Sequence, residues 1–281
     1  MRFDADSLGL QPAAVSLLRE IVHERLGVYF QDTRLDALAD RLAPLVADRG
    51  FASFLDYFYF LKYDADTAGE WHRVMDALSV PESYFWREVD QITAVVDHVV
   101  PDLVRRRPGL PIRIASVPCA SGEEPLTIAM MLSEKGWFSR ARFEIVAGDA
   151  SCAALARARA GVYRERAFRS LPAPLRERYF HRAGDGWQID QELHRRIQDW
   201  RQVNLASQTE AMVVANADVM FCRNVFIYFS EDTVRRVVNA FADGLPDGGL
   251  LCVGAAESLL RVSDRFELEG IGGAFVYVKR R

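Results

Sequence analysis

The chain has 281 residues, 50% hydrophobic and 26% charged, with a formal net charge of −4. That is enough to bury one or two ordinary globular cores, and the charge balance leaves no general cationic footprint for nucleic acid. No apolar run is long enough to span a bilayer, the opening residues MRFDADSLG lack a signal-peptide pattern, and Cys119, Cys152, Cys222 and Cys252 show neither a CxxC pair nor metal spacing. The expectation is a cytoplasmic protein with buried reduced thiols, no metal and no membrane insertion.

Residues 10–80 read as helices. LQPAAVSLLREIVHERLG stops at Gly27, RLDALADRLAPLVADRG stops at Gly50, and FASFLDYFYFLKYD is a third, aromatic-rich run. Through Glu88 there are 9 Lys/Arg against 15 Asp/Glu, an acidic bias the remainder does not share. That shift predicts a separate helical module over residues 1–80, followed by a second domain over residues 81–281. Arg34, Arg41 and Arg49 are spaced seven and eight apart, so they can share one face of the second helix. In SVPESYFWREVDQI, Arg87 stands beside three consecutive aromatics; composition alone favours an interdomain hinge there.

The stretch IRIASVPCASGEEP at 112–125 organises the rest. Ile112, Ile114 and Val117 predict a buried strand, and Pro118 to Gly122 are residues small enough for a ligand to approach the backbone. LTIAMMLSEKG then predicts a helix ended by Gly136. Strand, tight turn and helix make the first unit of a nucleotide-binding α/β fold. The glutamates and the absence of GxGxxG or GxxxxGK[ST] exclude a phosphate cradle and favour a cationic ligand such as a sulfonium or an α-amino group. Glu123 and Glu124 can equally be helix-stabilising residues: Ser121 and Glu124 have capping-box spacing, while Pro125 argues for Glu124 as the cap itself.

FEIVAGDAS predicts a second strand ending in Asp149, where a doubly wound fold holds a ribose; Asp at a strand end is also a common helix cap. Residues 161–200 break the α/β rhythm with an Arg- and His-rich, partly β segment, either a solvated loop or a docking surface for an acidic or extended peptide. DVMFCRNVFIYFS returns to a strand, Ser230 caps a helix, GGLLCVGAAE is a further strand, and FELEGIGGAFVYVKR reads as a closing hairpin of the kind methyltransferase sheets carry.

With these motifs in order, the sequence resembles the CheR family of chemotaxis receptor methyltransferases along essentially its whole length. Ser83 to Glu88 looks like T-x-F-F-R-E, Ser116 to Pro125 like S-x-x-x-S-T-G-E-E-P, and Phe221 to Phe229 like F-C-R-N-V-x-I-Y-F. Gly161-Val162-Tyr163 and Asn204-Leu205 look like its G-x-Y and N-L. The resemblance implies an α/β fold: a doubly wound sheet that binds S-adenosylmethionine (SAM), an all-α N-terminal receptor-recognition domain, and a small β insertion at about 164–202. It implies methyl transfer to glutamate carboxylates of a receptor's helical bundle, with a receptor C-terminal peptide as a candidate ligand of the insertion. By the family pattern Arg87 and Tyr228 are the catalytic residues. Ser83, Arg87, Pro118, Glu124, Asp149, Asn204, Leu205, Arg223 and Asn224 surround the cofactor. Pro81, Ser83, Pro118, Ala120 and Ser121 depart from the usual residues, and the VPES and VPC wording is closer to the WspC branch, which serves surface-sensing receptors. A catalytically silent SAM-binding regulatory module is the alternative of a different class.

Overall fold

The computed structural model describes residues 12–80 and 82–280. The signal-peptide reading of the first residues and the Pro81 departure fall outside them. The helical module packs α1 (Pro12–Leu26), α2 (Leu35–Asp48), α3 (Phe54–Tyr63) and α4 (Ala68–Leu78) around one core. The spacing explains it: Leu38, Leu42 and Val46 on α2 recur every four residues and meet Leu18 and Val22 of α1 and Phe54, Tyr57 and Leu61 of α3, all buried. The fourth helix, AGEWHRVMDAL, carries Trp71, Val74 and Leu78 into the same core. One carboxylate, Glu70, is fully buried there. It accepts from the Tyr57 hydroxyl at 2.8 Å and from Arg49 Nε at 2.8 Å, and burial followed by this hydrogen bond pushes the Tyr57 phenol pKa far up.

The second unit opens with α5 (Val89–Ala94), which runs through a π-turn at Val95–Val99 into α6 (Val100–Arg106). A seven-stranded sheet follows, built from β1 (Ile112–Ser116), β2 (Phe143–Asp149), β6 (Ile197–Gln202), β7 (Val219–Phe221), β8 (Leu250–Cys252), β9 (Phe266–Ile271) and β10 (Ala274–Lys279). Its order is β6-β2-β1-β7-β8-β10-β9; β10 pairs antiparallel with both β8 and β9, and the other pairings are parallel. Between the strands lie α7 (Glu123–Glu134), α8 (Cys152–Ala160), α9 (Ala173–Tyr179), α10 (Gln191–His194), α11 (Gln208–Val214) and α12 (Glu231–Gly244). The strands alternate between two cores, as a sheet covered on both faces requires. Ile112, Ile114, Val219, Phe221, Leu250 and Cys252 face one cluster with α7, while Ala115, Met220, Cys222 and Leu251 face another with α11 and α12.

A three-stranded sheet, β3 (Val162–Tyr163), β5 (Gly186–Ile189) and β4 (Phe180–Ala183), forms the insertion. The expected boundaries of about 164–202 are therefore corrected at both ends. The small sheet begins two residues earlier, and Ile197–Gln202 instead pairs parallel to β2 as the edge of the main sheet. An edge strand covered on one side has the same polar alternation as a hairpin strand, so only its distant partner decides where it belongs. The capping expectations for α7 are also corrected: Gly122, at φ +94°, is the N-cap, and both glutamates lie in the first turn. A Cβ at Gly122 would come within 2.9 Å of the Trp200 ring, so the turn needs glycine on both counts. Ser230 caps α12 by accepting from the Thr233 N–H. Three cysteines are buried; Cys152, at the start of α8, is only half-buried.

Candidate functional site

The carboxyl ends of β1, β2 and β7 open into a cavity of about 300 Å³, closed over by Leu26, Val28, Met75 and Leu78 of the helical module. β1 lies between β2 and β7, where the strand order reverses, and an open α/β sheet splays there to leave a crevice. Ser83, Arg87, Pro118, Glu124, Asp149, Asn204, Leu205, Arg223, Asn224 and Tyr228 all line this one cavity. Residues from five separate stretches of chain are thus brought together.

The floor is acidic. Glu124 accepts from the Ser116 hydroxyl at 2.7 Å and from Arg223 Nε at 2.7 Å. Asp149 accepts from the backbone N–H of Ala120 at 2.8 Å and of Ser151 at 2.9 Å; burial outweighs these bonds and raises its pKa. Glu123, next to Glu124 in the chain but not among the residues lining the cavity, is buried, accepts from Ser121 through one oxygen at 3.0 Å, and has no hydrogen-bond partner on the other among the described residues. Burial raises its pKa as well. Each cavity carboxylate keeps lone pairs free for a ligand's donors.

The wall comes from the segment after α4. Phe85, fully buried, anchors it in the insertion: its ring meets Tyr163 edge-on at 4.7 Å and Phe180 at 5.0 Å, and its N–H donates to Ala167 O. Of the three aromatics beside Arg87, this one is therefore core, and the hinge expected there is a pinned strap. Arg87 donates to Glu82 O at 2.7 Å and stands 3.6 Å from Glu88. Arg223 is buried with all three guanidinium nitrogens committed, to Glu124, Glu88 O and Arg87 O. It clamps the strap to the acidic floor, which leaves it no donor nitrogen unengaged. Burial acts to raise the Glu88 pKa, but donation from Ala255 N and Asn224 Nδ2, with the Arg223 charge, brings it below the ordinary carboxylate value.

The F-C-R-N-V-F-I-Y-F stretch turns sharply after β7. Asn224 has φ +60°, and a 3₁₀ turn at Phe226–Tyr228 follows, carrying Tyr228 half-buried into the cavity wall. Its hydroxyl makes no hydrogen bond among the described residues. The Tyr228 carbonyl accepts from Tyr29 N at 2.8 Å, and Val28 pairs with Phe229, so the helical module touches the turn directly. Asn204 is tied the same way, Nδ2 donating to Arg25 O at 2.8 Å and Oδ1 accepting from Ala206 N. Its amide is committed to protein groups, and Leu205 beside it is buried.

Two neighbours of these residues escaped the sequence reading. Asp76, from α4, reaches across to accept from the Ser151 hydroxyl at 2.6 Å and from Ala153 N, and lines the cavity. Glu257, after β8, accepts from four backbone N–H groups around Asn224. A strand ending in GAAE was the only local signal for the second; nothing local marks the first.

Residues 81–273 match the family described as CheR methyltransferase, SAM binding domain, and residues 13–79 its all-alpha domain. Chemotaxis protein methyltransferase 2 of Vibrio cholerae is 33% identical over 264 residues, covering 93% of this chain and 91% of that protein. Chemotaxis protein methyltransferase of Escherichia coli is 30% identical, covering 94% and 91%. The probable biofilm formation methyltransferase WspC of Pseudomonas putida is also 30% identical over 92% of this chain, which spans 60% of that protein's length. The WspC likeness is thus no greater than that to the chemotaxis enzymes. The cavity suits the cofactor this family brings: the carboxylates of Glu124 and Asp149, each with lone pairs left over from its protein donors, match a cationic, hydroxyl-bearing ligand. Among the described residues no helix is long and apolar enough to cross a membrane. The chain belongs to the CheR family of SAM-dependent methyltransferases.

Proposed function

We propose that the protein transfers methyl groups to glutamate side chains of a methyl-accepting receptor. The observation that carries this is the convergence of Arg87 and Tyr228 with the paired acids Glu124 and Asp149 on one cavity. The domain boundaries at 80 and 81, the receptor-reading role of the helical module and the peptide-docking role of the insertion belong to the same proposal.

Glu124 would hold the cofactor's amino group and Asp149 its ribose hydroxyls, with Pro118, Asn204 and Leu205 as walls. Bound SAM supplies an electrophilic methyl on a sulfonium whose departure leaves a neutral thioether. A solvated glutamate loses its proton near pH ~4.3, so it is already anionic at neutral pH and no general base is required. The work of the chain is alignment and exclusion of water. Arg87 keeps the entering carboxylate ionised against desolvation. The Tyr228 hydroxyl donates one hydrogen bond to it, leaving the other oxygen to take the methyl. Arg223 keeps Arg87 in place through the backbone it holds, and Ser83 with Arg87 would reach the methionyl part of the cofactor.

Transfer of a labelled methyl group to cytoplasmic fractions of candidate receptors tests the reading. An alkali-labile label is the expected product, because a glutamyl methyl ester hydrolyses in base. Saturable product binding with no transfer to any receptor would instead make the protein a silent regulatory module. Alkali-stable label would point to another acceptor atom.

A further inference from the structure

Three successive backbone N–H groups, those of Asn224, Val225 and Phe226, point into one concavity at the start of the turn that carries Tyr228. Backbone that turns tightly out of the left-handed region, as it does at Asn224, exposes successive N–H groups together and fits an anion. Glu257 fills it. Oε2 accepts from Asn224 N at 2.9 Å, and Oε1 accepts from Val225 N at 2.8 Å and Phe226 N at 2.7 Å. Oε2 also accepts from Gly254 N at 2.7 Å, at the end of β8. One carboxylate therefore ties the end of β7 to the end of β8. The fit is close: a Cβ at Gly254 would stand 2.6 Å from Asn224 Nδ2 and 2.9 Å from Glu257 Oε2.

The backbone here does not hold itself. Asn224 has φ +60°, a region that non-glycine residues seldom adopt, and the 3₁₀ turn after it has only three residues. Its leading N–H groups have no earlier turn to donate to. The charge that satisfies them comes from the neighbouring strand's loop, 33 residues further along the chain. Glu88 runs a parallel link, from Asn224 Nδ2 to Ala255 N, but it grips the side chain of Asn224 and not the backbone of the turn.

We propose that Glu257 is a positioning residue for methyl transfer, setting the direction of Tyr228 by anchoring the backbone from Asn224 to Phe226. It does not act on the acceptor itself, since both oxygens are occupied by backbone donors. The inference rests on the assignment of Tyr228 made above.

Glu257→Gln keeps size but turns an amide NH₂ toward two of the four N–H groups, which then lose their acceptor. The expected result is a kcat lower by about 10- to 100-fold at saturating cofactor and receptor, with a much smaller change in KM for the cofactor. The deciding measurement is a cycle with Tyr228→Phe on the full chain. If Glu257 acts through Tyr228, adding Glu257→Gln to Tyr228→Phe produces little further loss of kcat. Losses that multiply across the cycle overturn the inference and leave the role of Tyr228 standing. An unchanged kcat in Tyr228→Phe alone sinks both. Should Glu257→Gln not fold, Glu257→Asp, which keeps the charge but shortens the reach, takes its place in the cycle: non-additive losses support the inference and multiplying losses overturn it.

Discussion

Asp149 spends one lone pair of each oxygen on the backbone, at Ala120 and Ser151, and is 8% exposed. Burial holds its folded pKa above the unfolded value, so ionisation lowers the stability of the ligand-free protein as pH rises through that window. A ligand donating hydroxyls to the remaining lone pairs favours the ionised form and reverses that cost. Product affinity should accordingly fall as the medium is made acid, beginning at a higher pH than an ordinary aspartate would set. Asp149→Ala removes the acceptor and frees Ala120 N and Ser151 N. Calorimetry should show product binding weakened by about 1–3 kcal/mol, the usual cost of stranding a buried polar group. Unchanged affinity in a folded variant would take Asp149 out of the ribose site.

Of the three arginines that spacing could place on one face, Arg41 lies within α2 and Arg34 and Arg49 flank it, and each has a different employment. Arg41 is half-buried and donates to Leu78 O at 2.6 Å, holding the end of α4. Arg49 pairs with the buried Glu70 and lies over the Phe60 ring. Arg34, at the entry to the helix, is exposed. Arg41 is therefore committed within the helical module, and reversing it tests folding before it tests docking. Arg41→Glu should cost about 1–3 kcal/mol in denaturant unfolding, since a charged hydrogen bond to a carbonyl is lost. Arg34→Glu should leave stability within about 0.5 kcal/mol of the wild type. If the helical module reads an acidic receptor bundle, the same variant should lower receptor methylation at low salt, with a defect that shrinks as salt rises. Equal methylation at low salt would move recognition to the arginine-rich insertion.

The two units meet over the cavity, and the junction runs through Tyr228, Asn204 and the cap of α12. Tyr29 N binds Tyr228 O, Asn204 Nδ2 binds Arg25 O, and His23 Nε2 lies 2.9 Å from the Ser230 hydroxyl that caps α12. Gly27 makes this approach feasible. It has φ +76°, and a Cβ there would stand 3.1 Å from Thr233, 3.2 Å from Ala206 and 3.3 Å from Phe229. Gly27→Ala should destabilise the protein by about 1–2 kcal/mol from the backbone conformation alone. Because Leu26 and Val28 line the cavity, product affinity should fall with it. Thermal unfolding and calorimetry on the same preparation check the pair. A variant that loses stability yet binds product normally would show that the junction is structural and does not shape the cavity.

The sequence alone determined the helical module, the alternating strands and helices, and the acidic turn after β1, because these rest on short-range periodicity and on residue types that few other folds need at that spacing. The motif resemblance extended this to ten residues that line one cavity, although they are scattered from Ser83 to Tyr228. Only the tertiary structure decided which of their atoms remain available. Arg223 and Asn204 are spent on protein partners, while Glu123, which the sequence left equally open to ligand binding and to helix stabilisation, is buried and lines no part of the cavity. It also decided that Ile197–Gln202 joins the main sheet, that Arg41 holds the end of α4, that Asp76 lines the cavity, and that Glu257 binds the backbone of the turn carrying Tyr228. Each of these depends on a partner tens of residues away, and side-chain spacing along one segment carries no information about what a distant segment will offer it.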